Sequence, residues 1–326
     1  LLDSAQDMRG LAFIAGNTSE TVNVDGNKLR LYPDADLREK GAMNIHLNQG
    51  IRSKSGLNLK EAVVRQVVAN EQKPNVRFIG KGVIIPQSTQ LSVPFQAIYL
   101  RGVTVSVIKI LEQNIGQFLQ SNNLDESGEL MRVGRLIARK TIFLDEEGLD
   151  LSRWNTFAVD LKRLIEPEPG AIYRLELSFD RPLSVYPCGN DTVVLSKEQI
   201  LASDEIRFKE ESARFDEGGY YYYRQYDWSD YNWEKRDDPC SDSYYFNKVE
   251  GKNVLATNLG LVAMLGQDND MTVLVHNIQN TEPERGVTVT AYNYQHQALA
   301  SGTTDDKGQV RLDLSSGRPF YLIASQ

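Results

Sequence analysis

The sequence predicts an all-β fold of tandem β-sandwiches. Three observations carry that reading: short runs that alternate apolar and polar residues, turn-forming residues between the runs, and a length too great for one sandwich. Alternation is clear in Lys28-Leu29-Arg30-Leu31-Tyr32, Met43-Asn44-Ile45-His46-Leu47, Ala171-Ile172-Tyr173-Arg174-Leu175-Glu176-Leu177, Thr272-Val273-Leu274-Val275-His276 and Gly286-Val287-Thr288-Val289-Thr290-Ala291-Tyr292. A period of two puts one face of a strand in a core and the other in water. Asp25-Gly26-Asn27, Lys40-Gly41, Ser55-Gly56, Asp306-Lys307-Gly308 and Ser316-Gly317 supply the turns. The chain has 326 residues, enough for two or three domains of ordinary size.

One short helix is predicted between strands. Leu111, Ile115, Phe118 and Leu119 fall on one helical face, and Asn122-Asn123 ends it. A single crossover helix does not make an α/β fold, which needs strands and helices in alternation. Helix should stay under about 15%, well below the globular average.

Four blocks follow in order. Residues 1–73 hold several short strands, five or six by pattern, and the chain opens in mid-pattern at Leu1-Leu2-Asp3, so this first domain is expected to be incomplete. Residues 74–186 form a second unit. Residues 187–248 are an acidic, tyrosine-rich insertion or linker with little alternation. Residues 249–326 return to clean strands. Leu1 is not a start methionine and no signal-peptide pattern follows it, so the chain reads as a piece of a longer protein.

Composition excludes several classes. Apolar residues make 41% and charged residues 25%, and the net charge is −8. An acidic chain lacks the basic face that phosphate binding needs, so nucleic acid is not an expected partner. No apolar run approaches the ~18 residues of a membrane span, so no membrane contact is expected. His46, His276 and His296 are scattered, with no pair at zinc-ligand spacing. Asp227, Asp230, Asp237, Asp238 and Asp242 do not match a calcium loop. No G-x-S-x-G, G-x-G-x-x-G or P-loop is present. The sequence calls for no catalytic residues, no metal and no cofactor, and the chain reads as a non-enzyme.

The most unusual tract runs from Gly218 to Trp233. Its aromatics are Tyr220, Tyr221, Tyr222, Tyr223, Tyr226, Trp228, Tyr231 and Trp233, interspersed with carboxylates. The plain reading is a long loop that folds its rings back onto a neighbouring domain. Two functional readings stand beside it: a protein-interaction surface, because aromatics add contact area at low entropic cost, and a sugar-binding surface, where rings stack and acids bond hydroxyls. Thr303–Gly308 looks like a site but reads as a tight hairpin returning into a strand over Gln309–Leu314.

Several strings resemble the bacterial α2-macroglobulin family. Val76-Arg77-Phe78-Ile79-Gly80-Lys81-Gly82-Val83-Ile84-Ile85-Pro86 and Ala97-Ile98-Tyr99-Leu100-Arg101-Gly102-Val103 are similar to the start of a macroglobulin-like domain. Val133-Gly134-Arg135, Asp150-Leu151-Ser152-Arg153-Trp154 and Pro169-Gly170-Ala171-Ile172-Tyr173-Arg174 resemble its later strands. Arg236 to Tyr245, Lys252 to Leu261 and the Thr303–Gly308 turn resemble the next such domain, and the tyrosine-rich insertion resembles versions from Bacteroides-like bacteria. Residues 1–73 resemble the preceding immunoglobulin-like domain through Gly50-Ile51-Arg52-Ser53 and Ser55-Gly56.

The resemblance implies macroglobulin-like sandwiches that act as the scaffold of a protease trap. It implies proteases as partners of the full-length protein, the protein's own other domains as neighbours, and a lipoprotein of the periplasm or cell surface. The family's thioester needs C-x-E-Q spacing. Cys188 is followed by Gly189-Asn190-Asp191 instead, so no reactive centre is implied for this chain. An adhesin or carbohydrate-binding sandwich is the rival reading, and a sandwich hydrolase a further one. The resemblance also suggests that Cys188 and Cys240, each preceded by proline at the two ends of the acidic tract, are bridged. Two free thiols are the alternative, and a bridge requires an oxidising compartment.

Overall fold

The computed structural model describes residues 1–18, 22–34, 37, 42–68, 72–80, 82–86, 91–145, 148–168, 170–189, 194–217 and 231–326. It divides into two compact units, Leu1–Lys73 and Pro74–Gln326. Among the described residues, no helix is long and apolar enough to cross a membrane.

Among the described residues the first unit has five strands: β1 (Ala12–Ile14), β2 (Val22–Asp25), β3 (Lys28–Leu31), β4 (Ala42–Leu47) and β5 (Val63–Val68). β1, β4 and β5 form one sheet in that order, and β2 and β3 form a hairpin. Gly26 turns that hairpin at φ +60°, a conformation that favours glycine. Met8, Ala12 and Ile51 are buried against the hairpin's Val22, Val24, Leu29 and Leu31. Alternation in β2 and β3 thus delivers every second side chain to one small core.

The second unit holds two sandwiches. Its first strands are β6 (Asn75–Phe78), β7 (Ile84–Ile85), β8 (Ser92–Ile98) and β9 (Gly102–Ile110). β10 (Gly134–Phe143), β11 (Asn155–Asp160), β12 (Ile172–Ser178) and β13 (Val249–Ala256) follow. A five-stranded sheet in the order β10-β9-β12-β13-β7 packs on a three-stranded sheet in the order β11-β8-β6. Val93, Phe95, Val105, Val107, Val159, Tyr173 and Leu175 fill the space between them, none more than 1% exposed. β9 is buried on both sides because both faces of its sheet are covered.

The predicted helix is present as α1 (Ile115–Ser121) after a short 3₁₀ turn. Phe118 is fully buried. Asn122 closes the helix: its Nδ2 donates to the Phe118 carbonyl at 2.9 Å and its Oδ1 accepts from Gly128 N–H. A second short helix, α2 (Leu130–Val133), leads into β10. Both lie between β9 and β10, which are neighbours in one sheet.

Three sequence expectations need correction. Residue 249 was expected to open a new domain, but β13 pairs along its length with β12, from Ile172↔Leu255 to Ser178↔Val249. Alternation identifies a strand without saying which sheet receives it. Helix is also more abundant than expected, at 17% of the described residues. The excess comes chiefly from α3 (Lys197–Glu217), a 21-residue helix inside the stretch read as an irregular insertion. The third correction concerns Thr303–Gly308 and involves the last sandwich.

That sandwich contains β14 (Leu259–Leu265), β15 (Asp270–Asn277), β16 (Thr288–Tyr292), β17 (Ala298–Thr303), β18 (Gln309–Asp313) and β19 (Tyr321–Ser325). One sheet runs β14-β15-β18 and the other β17-β16-β19. Val273, Val275, Val287, Val289 and Ala291 are fully buried between them. The tight turn exists: the Asp305 carboxylate accepts from the N–H groups of Lys307 and Gln309. Yet β17 and β18 lie in opposite sheets, so the turn crosses the sandwich rather than closing a hairpin. Sequence shows turn chemistry and not the sheet in which each strand pairs.

Gly308 is fixed by two independent constraints. Its φ is +68°, and a Cβ there would lie 2.3 Å from the Val275 carbonyl oxygen. The close approach is needed because Val275 N–H donates to the Gly308 carbonyl at 2.7 Å. Gly308→Ala should therefore destabilise the chain by at least about 2 kcal/mol, read as a lowered midpoint in urea unfolding. An unchanged midpoint contradicts this account of the turn.

Candidate functional site: a disulfide-tethered excursion

Cys188 and Cys240 are joined by a disulfide, with Cα atoms 5.4 Å apart and a separation of 52 positions in sequence. The bridge ties both ends of the acidic tract to one place. The described residues of the loop fall into an outgoing helix and a returning segment.

The helix α3 starts with a reciprocal cap. Gln199 N–H donates to the Ser196 hydroxyl at 3.2 Å, and Ser196 N–H donates to Gln199 Oε1 at 2.9 Å. The S-x-x-Q pattern is a capping box, and it is the one local signal that could have revealed this helix. The apolar stripe could not. Ile200, Asp204, Phe208, Glu211 and Phe215 recur at helical spacing, but two of the five are carboxylates. The helix consequently reads as a charged, patternless stretch.

Those carboxylates face a matching group. β10 is the edge of the five-stranded sheet, and α3 runs along it. Asp204, nearly fully buried, accepts from Thr141 N–H at 2.7 Å, which satisfies a backbone donor of that strand. Arg139, with its side chain 5% exposed, lies 3.6 Å from Asp204 and 3.2 Å from Glu211. Its Nη1 also reaches the Ser106 hydroxyl across the sheet at 3.5 Å. Lys197–Asp145, Arg207–Asp180 and Arg135–Asp216 pair farther out. Being solvent-exposed, those outer pairs contribute little, whereas the inner triad decides the docking.

The polar face continues inward. Arg174 lies 3.5 Å from Glu176 and bonds Asn253 Oδ1 at 3.3 Å. Asn253 Nδ2 in turn bonds the carbonyls of Leu124 and Glu126. A Cβ on Gly251 would fall 1.8 Å from the Arg174 guanidinium, so glycine leaves the channel that Arg174 occupies. A cavity of about 380 Å³ opens beside α3, lined in part by Arg139, Asp180, Arg207, Glu211 and Lys248. Arg139 pairs there with Glu211 and Arg207 with Asp180, and Lys248 lies over the Tyr244 ring. This arrangement suits holding a helix in place or binding a polar group.

The returning segment packs by its aromatics. Tyr231 lies on Phe246 with ring centroids 4.8 Å apart. Arg236 sits over the Trp233 ring at 4.4 Å, and Trp233 is otherwise exposed. Tyr244 and Tyr245, in the short helix α4 (Asp242–Tyr245), enter the main core. Tyr244 Oη donates to the Pro74 carbonyl at 2.8 Å, and Tyr245 Oη to that of Pro239 at 2.6 Å. Tyr220, Tyr221, Tyr222, Tyr223, Tyr226 and Trp228 lie outside the described residues, as do Asp227 and Asp230. Asp237 pairs with Arg236, Asp242 with Arg181, and Asp238 accepts from Cys240 N–H. Among the described residues no cluster of His, Cys, Asp and Glu could hold a metal ion. His46 stacks on Phe13, its cross-strand partner.

The architecture defines a class: a chain of tandem macroglobulin-like β-sandwiches. Residues 256–326 match the family model of the bacterial alpha-2-macroglobulin MG3 domain. That stretch is therefore similar to a domain of the bacterial α2-macroglobulin family, the family that strings in the sequence resemble. The crystal structure of a Salmonella alpha-2-macroglobulin mutant aligns with 100% of this chain and 16% of its own, at 11% identity and a TM-score of 0.53. The methylamine-reacted Salmonella protein gives the same coverage and identity with a TM-score of 0.50. The Escherichia coli structure spanning domains MG0-NIE-MG1 covers 100% of this chain and 86% of its own, at 14% identity and a TM-score of 0.46. At such identities the Salmonella likeness shows the fold, and this chain spans 16% of those proteins' length. No sequence among the curated proteins matches the chain.

Two outcomes are expected. Arg139→Met should cost about 3–5 kcal/mol, because it strands the buried Asp204 and the half-buried Glu211; a loss below about 1 kcal/mol in chemical unfolding contradicts the docking account. Tyr244 is pushed up to about 12, first by burial, with Tyr245, Asp237 and Tyr186 adding to it. An unfolded tyrosine ionises near pH 10. The raised value in the folded state means the Tyr244 contribution is whole below about pH 10 and is lost as pH rises towards 12. The urea midpoint should fall across that window, and Tyr244→Phe should shallow the fall; an equally steep fall in the variant counts against it.

Proposed function

We propose that this chain is a non-catalytic scaffold segment of a bacterial α2-macroglobulin-like protease trap of the cell envelope. The match of residues 256–326 to the bacterial MG3 domain carries the reading. The disulfide supports an oxidising, extracytoplasmic location, where a lipid anchor elsewhere in the full-length protein would hold it at the membrane. The sandwiches present shaped surfaces and covered sheets in the manner of a frame. Proteases are then partners of the full-length protein, and the immediate neighbours of this segment are the protein's own further domains. The excursion between Cys188 and Cys240 is the surface on which this scaffold differs from a plain sandwich array, and its exposed Trp233 is available to a neighbour.

The test uses the isolated chain and the intact protein in parallel, against a panel of proteases acting on a protein substrate. The isolated chain should neither hydrolyse the substrate nor reduce protease activity, while the intact protein should inhibit. Stoichiometric inhibition by the isolated chain overturns the scaffold role. No inhibition by the intact protein overturns the trap.

A further inference from the structure

β14 is the feature of the second unit that the fold leaves unused. It stands at the edge of its sheet, paired on one side with β15 and, among the described residues, with no partner strand on the other. Gly266 N–H donates to the Asp270 carbonyl, and Ile278 N–H to that of Asn258. In an antiparallel ladder the bonded positions alternate, so the even-numbered residues of β14 bond β15. The odd-numbered Leu261, Ala263 and Leu265 turn their N–H and C=O groups outward. The side chains are equally uncovered: Val262 is 58% exposed and Leu265 68%, and Leu261 and Met264 are exposed as well.

Two other edges of this unit are guarded. β10 has α3 along it, and β18 carries Arg311 and Asp313. β14 has neither charge, nor proline, nor bulge, the usual devices that keep sheet edges from pairing. The whole stretch from Val254 to Gln267 is uncharged in a chain whose net charge is −8. An approach of two acidic copies meets least repulsion there.

We propose that the outer edge of β14 is a self-pairing surface, on which a second copy of this chain adds its own β14 antiparallel about a two-fold axis at Ala263. The strand is self-complementary in that register. Leu261 falls opposite the second copy's Leu265, Val262 opposite its Met264, and Ala263 opposite its own counterpart. The odd-numbered pairs each exchange two backbone hydrogen bonds, using the groups that β15 leaves free. The small Ala263 at the axis lets the backbones meet without a clash of large side chains. Leu261, Ala263 and Leu265 share the sheet face of the buried Val275, Val273 and Met271, so pairing prolongs an apolar face across the axis. The contact is isologous and closes on itself. One strand pair is smaller than a standard interface, so the dimer is weak and concentration-dependent.

The test is sedimentation of the whole 326-residue chain between roughly 1 µM and 1 mM, the span over which so small an interface forms and dissociates. The weight-average mass should rise from monomer towards dimer. Ala263→Lys and Ala263→Glu each place like charges across the axis and should stay monomeric; an equimolar mixture of the two should dimerise again. Circular dichroism checks that both variants fold. Hydrogen exchange on the unaltered chain reads the same edge independently of any variant. The amides of Leu261, Ala263 and Leu265 should slow by about tenfold or more with concentration, while those of Gly260, Val262 and Met264 are slow throughout. A monomer at every concentration overturns the proposal, as does a dimer that leaves the odd-numbered amides fast, or slow exchange of those amides in the monomer.

Discussion

Arg139 is the group on which the second unit's character depends. It stands on an edge strand beneath a helix, among side chains that exclude water, and faces Asp204 and Glu211 from that helix. Neither carboxylate could be buried without it, and it could not be buried without them. Because Arg139 faces both carboxylates and Thr141 N–H also bonds Asp204, a helix with a weak apolar stripe can lie on a sheet face that is itself polar. That single arrangement covers the edge of the five-stranded sheet and turns a loop of low hydrophobicity into part of a folded body.

The disulfide and the helix act on the same segment in different ways. The bridge between Cys188 and Cys240 shortens the loop in the unfolded chain and so lowers the entropy that folding must overcome. The helix fixes one leg of that loop enthalpically, through buried charge and through Ile200 and Phe215 in the two neighbouring clusters. On the other leg Tyr244 and Tyr245 enter the core and donate their hydroxyls to backbone carbonyls. The two tyrosines serve packing, consistent with their large area and single polar end. Trp233, held under Arg236 but otherwise open, is the described aromatic of the tract that remains at the surface.

The two sandwiches of the second unit also contrast in how they end. The first is covered on both faces of its larger sheet, by a second sheet and by helices. The second has a fully buried centre, where Val273, Val275, Val287 and Val289 meet, yet no strand among the described residues covers its β14 edge. Stability and association draw on different strands there. The core keeps the sandwich folded, and the uncharged edge is left for a partner.

By itself the sequence determined the β class, the positions of most strands, the turn at Asp305–Gly308 and the helix ending at Asn122. Those features follow from local rules: a period of two, a side chain that caps its own backbone, a glycine that accepts positive φ. It also placed the two Pro-Cys pairs at the ends of one tract, and the resemblance suggested their bridge. Only the tertiary structure decided that β13 joins the middle sheet, that β17 and β18 lie in opposite sheets, and that Lys197–Glu217 is a docked helix. The reason is common to all three. Strand partners and charge partners come from remote parts of the chain, and Asp204 and Glu211 look like solvated carboxylates until Arg139, more than sixty residues earlier, is brought beneath them.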